Sequence, residues 1–277
     1  MKITTIIENE LIEGSKLYNE HGLCYFIEVF GINILFDTGK TYRAYENFKA
    51  LGLENKRIDY IILSHGHYDH VGGLKTFIAN INNKPKVIVG NEFFKRGDKY
   101  HLKNDEKKFI GIDFDFEYFK KLNIDIIEVK NKLVIENNIN IISNLGSIKE
   151  RKIIKGEDVL SINNEGVLLK DDFREELVIN IEENNNSIVV TGCAHNKIDY
   201  IAKYIRENYK NENLIIVGGI HLSKANELEL EEVVLKFKKM NIKKISLCHC
   251  SGHKILNKLK VEKIEIISGI TGSINEY

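Results

Sequence analysis

The amino-acid sequence predicts one α/β domain, residues 1–277, in which two mixed β-sheets are flanked by helices. Short runs rich in Ile, Val, Leu and Phe recur along the chain and are bounded by Gly, Asn or Asp, as strands usually are. Between several of them lie segments with apolar residues at three- and four-residue spacing, which is typical of amphipathic helices. The first half opens with hairpin-like pairs of strands, and the second half repeats strand, helix and strand. This mixture favours two sheets with helices outside.

Each element follows from its local pattern. The predicted strands are Ile3–Ile7, Cys24–Val29, Ile32–Phe36, Tyr60–Leu63, Val87–Val89, Leu177–Ile181, Ile188–Thr191, Leu214–Val217 and Ile245–Leu247. The predicted helices are Tyr42–Leu51, Val71–Asn80, Lys197–Asn208 and Ala225–Met240.

The segment 91–123 departs from this pattern, because it is polar, charged and aromatic. It is interpreted either as a lid or insertion over a functional site or as an ordinary solvated helix–loop excursion. Lys95 and Arg96 within it could bind a substrate phosphate. An ordinary solvated charge pair is the simpler interpretation of these two residues.

Composition and charge narrow the class of protein. The chain has 277 residues, of which 43% are hydrophobic, so it can bury a sizeable core. Lys+Arg and Asp+Glu number 40 each, and this neutral balance disfavours nucleic acid as a partner. The amino-terminal run MKITTIIENE lacks the apolar core of a secretory signal, and no apolar run is long enough to span a bilayer. We therefore expect a cytoplasmic protein with no membrane partner. Four cysteines in a chain of this length do not suggest a disulfide scaffold.

The stretch 59–73, DYIILSHGHYDHVGG, gathers four potential metal ligands just after a predicted strand. Imidazole nitrogens and carboxylates are ligands that zinc prefers, and manganese or iron would also fit. His65 and His67 are two positions apart, so in an extended turn they can project the same way and share one ion. Asp69 and His70 are adjacent, and a tight bend can aim both at a second ion. The spacing therefore predicts a site for two divalent ions, with zinc favoured.

Three later histidines follow strand-like runs, where site residues of layered α/β folds usually lie. His195 lies in SIVVTGCAHNKI, His221 in LIIVGGIHLSK and His249 in ISLCHCSGH. Each is a candidate metal ligand or substrate contact. Structural or surface roles are expected for the histidines with weaker context, which are His21, His101 and His253.

The run SHGHYDHVGG resembles the signature loop of the metallo-β-lactamase superfamily. The resemblance implies an αββα sandwich with the metals at one edge of the two sheets. Upstream, Asn33–Gly39 (NILFDTG) resembles the strand and turn that precede this loop. It implies that Asp37 orients the metal-binding loop by hydrogen bonds. A strand-end Asp that only forms a turn is the alternative.

The order of the ligand motifs in this superfamily also implies roles for the later histidines. It implies that His195 completes the site of the His-x-His pair and that His249 completes the site of the adjacent Asp–His pair. Many members carry an acidic residue that bridges the metals, and Cys193 stands at that position in TGCAH. Cys193 could bind metal as a thiolate or be a buried, inert thiol, so occupancy of both metal sites is left open. Cys248 and Cys250 are expected to be structural.

A narrower resemblance covers nearly the whole chain. The runs NEHGLCYFIE, ILFDTG, LSHGHYDHVGGL, VVTGCAHNKI, GGIHL and LCHCSGHK occur in this order. Together they resemble the subgroup of the dihydropterin-6-yl-methyl-4-(ribofuranosyl)aminobenzene 5′-phosphate synthase. That name implies a transferase that joins a pterin methyl group to an arylamine.

The leading functional hypothesis is a binuclear metal-dependent hydrolase, in which a metal-bound hydroxide attacks a phosphoester or ester of a small anionic molecule. In this hypothesis Asp69 binds metal and helps orient the hydroxide, and His221 binds substrate and stabilises the developing negative charge. The alternative is a transferase that joins a dihydropterin-methyl diphosphate to a ribofuranosylaminobenzene phosphate-type arylamine. A non-catalytic or redox metal-binding module is the third hypothesis. The sequence predicts no oligomeric state.

Overall fold

The protein folds as two facing β-sheets with helices on both outer faces. The structure is a computed structural model that describes residues 1–103, 106–136, 138–145, 159–162, 168–262 and 264–277. Within them, the first sheet has the order β18 (Ile274–Glu276), β1 (Lys2–Ile7), β2 (Cys24–Val29), β3 (Ile32–Phe36), β4 (Tyr60–Ile62), β5 (Lys86–Gly90) and β8 (Ile126–Val129). The second has the order β17 (Glu265–Ile266), β16 (Ile242–Leu247), β15 (Asn213–Gly218), β14 (Asn186–Thr191), β13 (Val178–Glu183), β10 (Ile139–Ile142) and β9 (Lys132–Glu136). A smaller sheet contains β12 (Leu168–Lys170), β11 (Val159–Ile162), β6 (Lys99–Lys103) and β7 (Glu106–Phe109).

The helices are short and lie mostly between the strands. They are α1 (Arg43–Ala50), α2 (Tyr68–Val71), α3 (Leu74–Asn80), α4 (Phe116–Lys121), α5 (Ile198–Asn208), α6 (Glu227–Lys239) and α7 (His253–Val261), with one 3₁₀ turn at Phe94–Arg96. Across the described residues, none of the helices has the length and apolar character that a bilayer crossing requires.

Side-chain alternation along the strands builds the core in three layers. In β3, Ile34 and Phe36 join a buried cluster that includes Ile179 of the second sheet, so they lie between the sheets. Leu35 points the other way and packs in a cluster with Phe77 of α3. Neighbouring strand residues face opposite sides of a sheet, which explains this division. The outer face of the second sheet is covered in the same way by α5, α6 and α7. These layers confirm the predicted αββα sandwich.

Strand direction decides where a site can form. In the first sheet β3, β4, β5 and β8 are parallel, and in the second β14, β15, β16 and β17 are parallel. The carboxyl ends of parallel strands meet at one edge of a sheet, and the loops that follow them share that edge. The loops after β4, β14, β15 and β16 carry the predicted metal ligands and the predicted substrate contact His221, and Asp37 directly follows β3.

Most predicted elements form within a few residues of their expected bounds. The helix predicted at Val71–Asn80 is wrong at its start, since Val71 ends the separate helix α2 and α3 begins at Leu74. The two glycines pass close to neighbouring backbone. A Cβ atom on Gly72 would lie 2.1 Å from the Lys40 carbonyl oxygen, and one on Gly73 would lie 2.1 Å from that of Thr38. Only glycine therefore fits at these two positions between α2 and α3.

The segment 91–123 contains the 3₁₀ turn, β6, β7 and α4. It lies against the signature loop, because Tyr68 donates its backbone N–H to the Ile110 carbonyl at 2.9 Å. A role as a lid stays a prediction.

Candidate metal centre

The predicted ligands reach one edge of the sandwich from both sheets. In the first sheet, His65 and His67 lie in the loop after β4, and Asp69 and His70 lie on α2, which continues that loop. The second sheet contributes the residues that follow β14, β15 and β16, which are His195, His221 and His249. The edge therefore gathers all the histidines that the sequence marked as site candidates.

Left-handed backbone turns place several of these side chains. The φ angle is 58° at Asp37, 55° at Ala194, 52° at His221 and 55° at His249. A non-glycine residue at positive φ is uncommon, costs of order 1–3 kcal/mol when strained, and tends to occur at functional sites. Four such residues at one edge indicate that the backbone there is shaped by the position of the site side chains, at some cost to the stability of the fold.

The first ligand group consists of His65, His67 and His195. One ring nitrogen from each lies within 4.8 Å of the others, and all three side chains are buried. The Nε2 atoms of His65 and His67 have no hydrogen-bond partner among the described residues. A buried nitrogen without a partner is costly, and a divalent cation would satisfy it. The donor set therefore fits a metal ion.

Burial also keeps the three imidazole rings of this group in the neutral form that binds a metal ion. It lowers the pKa of His65, His67 and His195 well below the usual histidine value, and neighbouring positive groups lower it further. The three imidazoles are neutral at pH 7 and have lone pairs available for coordination.

The second ligand group consists of Asp69, His70 and His249. The Nε2 atoms of His70 and His249 are 3.2 Å apart, and Oδ2 of Asp69 is 3.5 Å from His249 Nε2. Asn9 lies on the opposite side of the His249 ring, where its Oδ1 is 2.9 Å from Nδ1. If Nδ1 carries the proton, Nε2 faces the centre with its lone pair.

Asp37 contacts a histidine of the second ligand group directly and a histidine of the first group through Ser64. Its carboxylate accepts hydrogen bonds from the Ser64 backbone N–H and hydroxyl, each at 2.7 Å, and lies 2.7 Å from Nδ1 of His70. The Ser64 hydroxyl is in turn 2.9 Å from Nδ1 of His65. These contacts hold one ring of each group by its Nδ1 side, as carboxylates behind metal-binding histidines do. The orienting role predicted for Asp37 is consistent with this geometry.

Metal binding at His70 should release a proton at neutral pH. Burial disfavours the charged ring, but Asp37 and Asp69 outweigh it and raise the pKa of His70 to about 9. A metal ion must displace that proton, so affinity should rise about tenfold per pH unit up to about pH 9 and then level off. Calorimetric titration of metal-free protein in buffers of different ionisation enthalpy measures the release. Equal proton release at pH 7 and above pH 9 would contradict the assignment.

Comparison with known proteins identifies the family. Residues 17–153 match the family model described as the metallo-β-lactamase superfamily. The 7,8-dihydropterin-6-methyl-4-(β-D-ribofuranosyl)-aminobenzene-5′-phosphate synthase of Methanocaldococcus jannaschii is 30% identical, over 95% of this chain and 91% of that protein. The chain belongs to the metallo-β-lactamase superfamily.

Two further relatives match most of the chain. An uncharacterised protein of Methanocaldococcus jannaschii is 32% identical over 88% of this chain and 89% of its own length. A crystal structure of a metal-dependent hydrolase of the β-lactamase superfamily superposes with a TM-score of 0.80 at 26% identity and covers 100% of this chain and 99% of that chain. The predicted superfamily and the resemblance to the synthase subgroup are both confirmed.

Within this metallo-β-lactamase fold, a thiol occupies the position where a carboxylate was expected. Cys193 is buried, and its Sγ lies 3.2 Å from Nε2 of His70. His221 lies beside the first ligand group, with its ring centroid 4.5 Å from that of His195. The structure thus brings both residues to the centre, and their roles stay predictions.

His21 lies closer to the metal centre than its sequence context suggested. Its Nε2 is 3.2 Å from Oδ2 of Asp69, and its ring centroid is 4.9 Å from that of His249. His253, by contrast, is exposed and pairs with Glu10 at 2.8 Å, which agrees with a surface role. The signal for His21 was available only in the NEHG run of the subgroup resemblance.

The loop between β12 and β13 supports His195, and sequence reasoning did not identify it. The Phe173 ring stacks on the His195 ring at a centroid distance of 3.9 Å and an interplanar angle of 8°. The Glu176 carboxylate accepts the backbone N–H groups of His195 and Asn196 at 2.6 and 2.8 Å. This superfamily member therefore fixes the ligand by its ring face and by its backbone.

A buried ion network ties this loop to segment 91–123. Lys99 is fully buried and pairs with Asp171 and, at 2.7 Å, with Glu175. Its Nζ also lies 4.7 Å from the centre of the Phe173 ring. A Cβ atom on Gly66 would lie 3.3 Å from the Lys99 side chain, so the network reaches the signature loop itself.

Arg96, a candidate substrate-binding residue, is engaged by protein carboxylates. Its guanidinium pairs with Asp172 at 2.6 Å and with Glu92 at 3.3 Å. The neighbouring Lys95 is exposed. A phosphate-binding role for Arg96 stays a prediction that requires these pairs to rearrange.

A pocket of about 100 Å³ adjoins the histidine cluster between α5 and α6. His195 and His221 form its inner wall, and Lys197, Tyr200 and Leu222 are among its other lining residues. The pocket therefore leads from solvent to the ligand group of this metallo-β-lactamase-type centre.

Proposed function

We propose that this protein is a metal-dependent hydrolase of small anionic phosphoester or ester substrates. The observation that carries the proposal is the pair of buried Nε2 atoms on His65 and His67, which have no hydrogen-bond partner in the described part of the chain. One ring nitrogen of each of these residues lies within 4.8 Å of a ring nitrogen of His195, so the three rings can share one ion. The free energy lost by leaving the two Nε2 atoms unpaired would be regained on binding a cation. The full-length likeness to a metal-dependent hydrolase, at 26% identity, supports the same function.

The ligand groups divide the proposed centre between two divalent ions, for which zinc suits the nitrogen and carboxylate donors best. Two bound ions would supply a nucleophile at neutral pH and a positive clamp for a substrate oxygen. The first would be held by His65, His67 and His195, and the second by Asp69, His70 and His249.

Two residues are proposed to act on the substrate and water. His221 lies between the ligand group and the pocket, where its ring can donate a hydrogen bond to an oxygen that gains negative charge. Asp69 is held by His21 at 3.2 Å, which keeps its carboxylate at the centre, where it can orient a water molecule for attack.

One lysine of the pocket wall, Lys197, is proposed to bind an anionic group of the substrate. Lys236 in the same wall is already paired with Asp199 and Glu232, each at 2.7 Å. Lys197, in contrast, has no ion pair with any residue that the structure describes, and it is held at a φ of 65° two positions after His195. A lysine in this position can pair with a phosphate or carboxylate group of the substrate. Tyr200 and Leu222 would cover its apolar part.

The second candidate is the transferase reaction implied by the name of the dihydropterin synthase. Its support is the 30% identity to that protein over 95% of this chain. The same chain is 32% identical to an uncharacterised protein of the same organism, so the level of identity does not select one activity. Tyr200 and Lys197 in the pocket wall would contact the ring and the diphosphate of a pterin diphosphate substrate.

A parallel assay distinguishes the two candidates. Protein purified without chelator or His tag, and shown by elemental analysis to hold at least two ions per chain, should hydrolyse a chromogenic phosphodiester. A chelator should remove this activity, and zinc or manganese should restore it. Diphosphate release that depends on both a dihydropterin-methyl diphosphate and an arylamine would favour the transferase. Neither activity in fully loaded protein would contradict both candidates.

A further inference from the structure

A group of two cysteines and one histidine lies beside the histidine cluster and is used by neither ligand group. The Sγ atoms of Cys193 and Cys250 are 3.4 Å apart, and both side chains are buried. Together with a ring nitrogen of His221, these sulfurs lie within 4.8 Å of one another. The group is also adjacent to the second ligand group, since Cys193 Sγ is 3.2 Å from His70 Nε2.

The three residues lie just after the carboxyl ends of three parallel strands. Cys193 follows β14, His221 follows β15 and Cys250 follows β16. Gly219, in the turn after β15, faces the cluster. A Cβ atom there would lie 2.7 Å from Cys250 Sγ, so any larger residue would displace the thiol. The position of the Cys250 thiol therefore depends on a glycine at residue 219.

The other two cysteines have different surroundings. Cys248 Sγ lies 2.8 Å from the Tyr25 hydroxyl, and this contact satisfies its polar character. Cys24 is fully buried in the apolar cluster beneath α1 and α3. Both are explained by packing. The arrangement of Cys193, Cys250 and His221, in which two thiols face each other beside an imidazole ring, is not explained by packing alone.

Thiolate and imidazole are the ligand types that select thiophilic ions over harder ones. Zinc binds thiolate sulfur at about 2.3 Å and takes mixed sulfur–nitrogen donor sets, whereas magnesium and manganese prefer oxygen. We propose that Cys193, Cys250 and His221 bind a thiophilic divalent ion such as zinc, with both cysteines as thiolates. Each thiol releases its proton to solvent when the ion binds. The inference rests on the same centre as the proposed function but not on the reaction that the centre catalyses.

This ligand set has a consequence for metal selectivity. Because sulfur donors lie next to His70, the centre should hold zinc in preference to manganese, even where manganese is abundant. Removal of the sulfurs should reduce this preference while leaving the nitrogen and carboxylate ligands in place.

Cobalt titration of reduced, metal-free protein tests the proposal without reference to activity. Cobalt replaces zinc and gives an intense near-ultraviolet band when a thiolate is a ligand. The wild-type protein should show this band, the single variant Cys250→Ala should lose about half of its intensity, since one of two thiolates remains, and the Cys193→Ala/Cys250→Ala double variant should lose it entirely. Cys24→Ala, a matched substitution of a buried thiol, should leave it unchanged.

Cadmium NMR on the wild-type protein gives a second readout that needs no variant to fold. A resonance in the range of sulfur-ligated cadmium supports the site. Resonances only in the nitrogen and oxygen range overturn it, as does a cobalt band that survives in the double variant. A disulfide between Cys193 and Cys250 in protein purified under reductant, detected by intact mass, would also overturn it. Each of these results is independent of whether a phosphodiester or a pterin diphosphate is turned over.

Discussion

Replacement of His67 with alanine should remove metal-dependent activity and leave the fold intact. Loss of residues that only orient metal ligands costs about 10–100-fold in metal affinity or activity, so loss of a ligand should cost more. His67 Nε2 has no hydrogen-bond partner among the described residues. Its removal therefore leaves no other buried group unsatisfied, and the metal-free variant should unfold at nearly the temperature of the metal-free wild-type protein.

Elemental analysis, phosphodiesterase rate and thermal unfolding of the same preparations measure this result. His253→Ala is the matched control, since that histidine is exposed and pairs only with Glu10. The control should keep full metal content and full rate. Full activity in His67→Ala would remove this residue from the ligand set and, with it, the assignment of the first ion.

Replacement of Lys99 with methionine should destabilise the protein by about 3–5 kcal/mol, the usual cost of removing one member of a buried ion pair. Methionine keeps most of the apolar stem but leaves Asp171 and Glu175 without their buried cation. The loss should be smaller at low pH. Burial already raises the pKa of Glu175, so without Lys99 the folded state takes up a proton there more readily than the unfolded state.

Urea unfolding of metal-free protein at two pH values checks both the size and the sign. Lys95→Met is the control, because Lys95 is exposed and nearby in sequence, and it should change stability by no more than about 0.5 kcal/mol. Since the loop carrying Asp171 and Glu175 also holds Phe173 against His195, the Lys99 variant should lose metal affinity as well. A variant with wild-type stability would show that the two carboxyl groups are protonated or hydrated in the native protein.

The sequence predicted what short-range patterns encode. Strands such as Cys24–Val29 and Ile32–Phe36 form at their predicted bounds, because alternating apolar residues and flanking turn residues are local signals. The ligands His65 and His67 were equally visible, since their spacing lies within one turn. The loops that follow buried strands also directed attention to the later histidines, including His195.

What the sequence did not predict depends on contacts between distant residues. Lys99 looked like one more charge in a polar segment, and its partners Asp171 and Glu175 lie in a different loop. His21 reaches Asp69 only because the loop before β2 folds against α2. A single residue with no periodic neighbours carries no local signal, so only the assembled sandwich shows its role.

The division of ligands between the two sheets makes each ion a cross-link. His67 belongs to the first sheet and His195 to the second, and their donor atoms meet across the edge of the sandwich. An ion shared between them would close a long loop of chain and bind the folded state alone. It would stabilise folding by about 2.7 kcal/mol when free metal stands at 100 times its dissociation constant. The metal supply would then set the stability of the folded sandwich. Starvation for metal would expose the chain to unfolding and proteolysis.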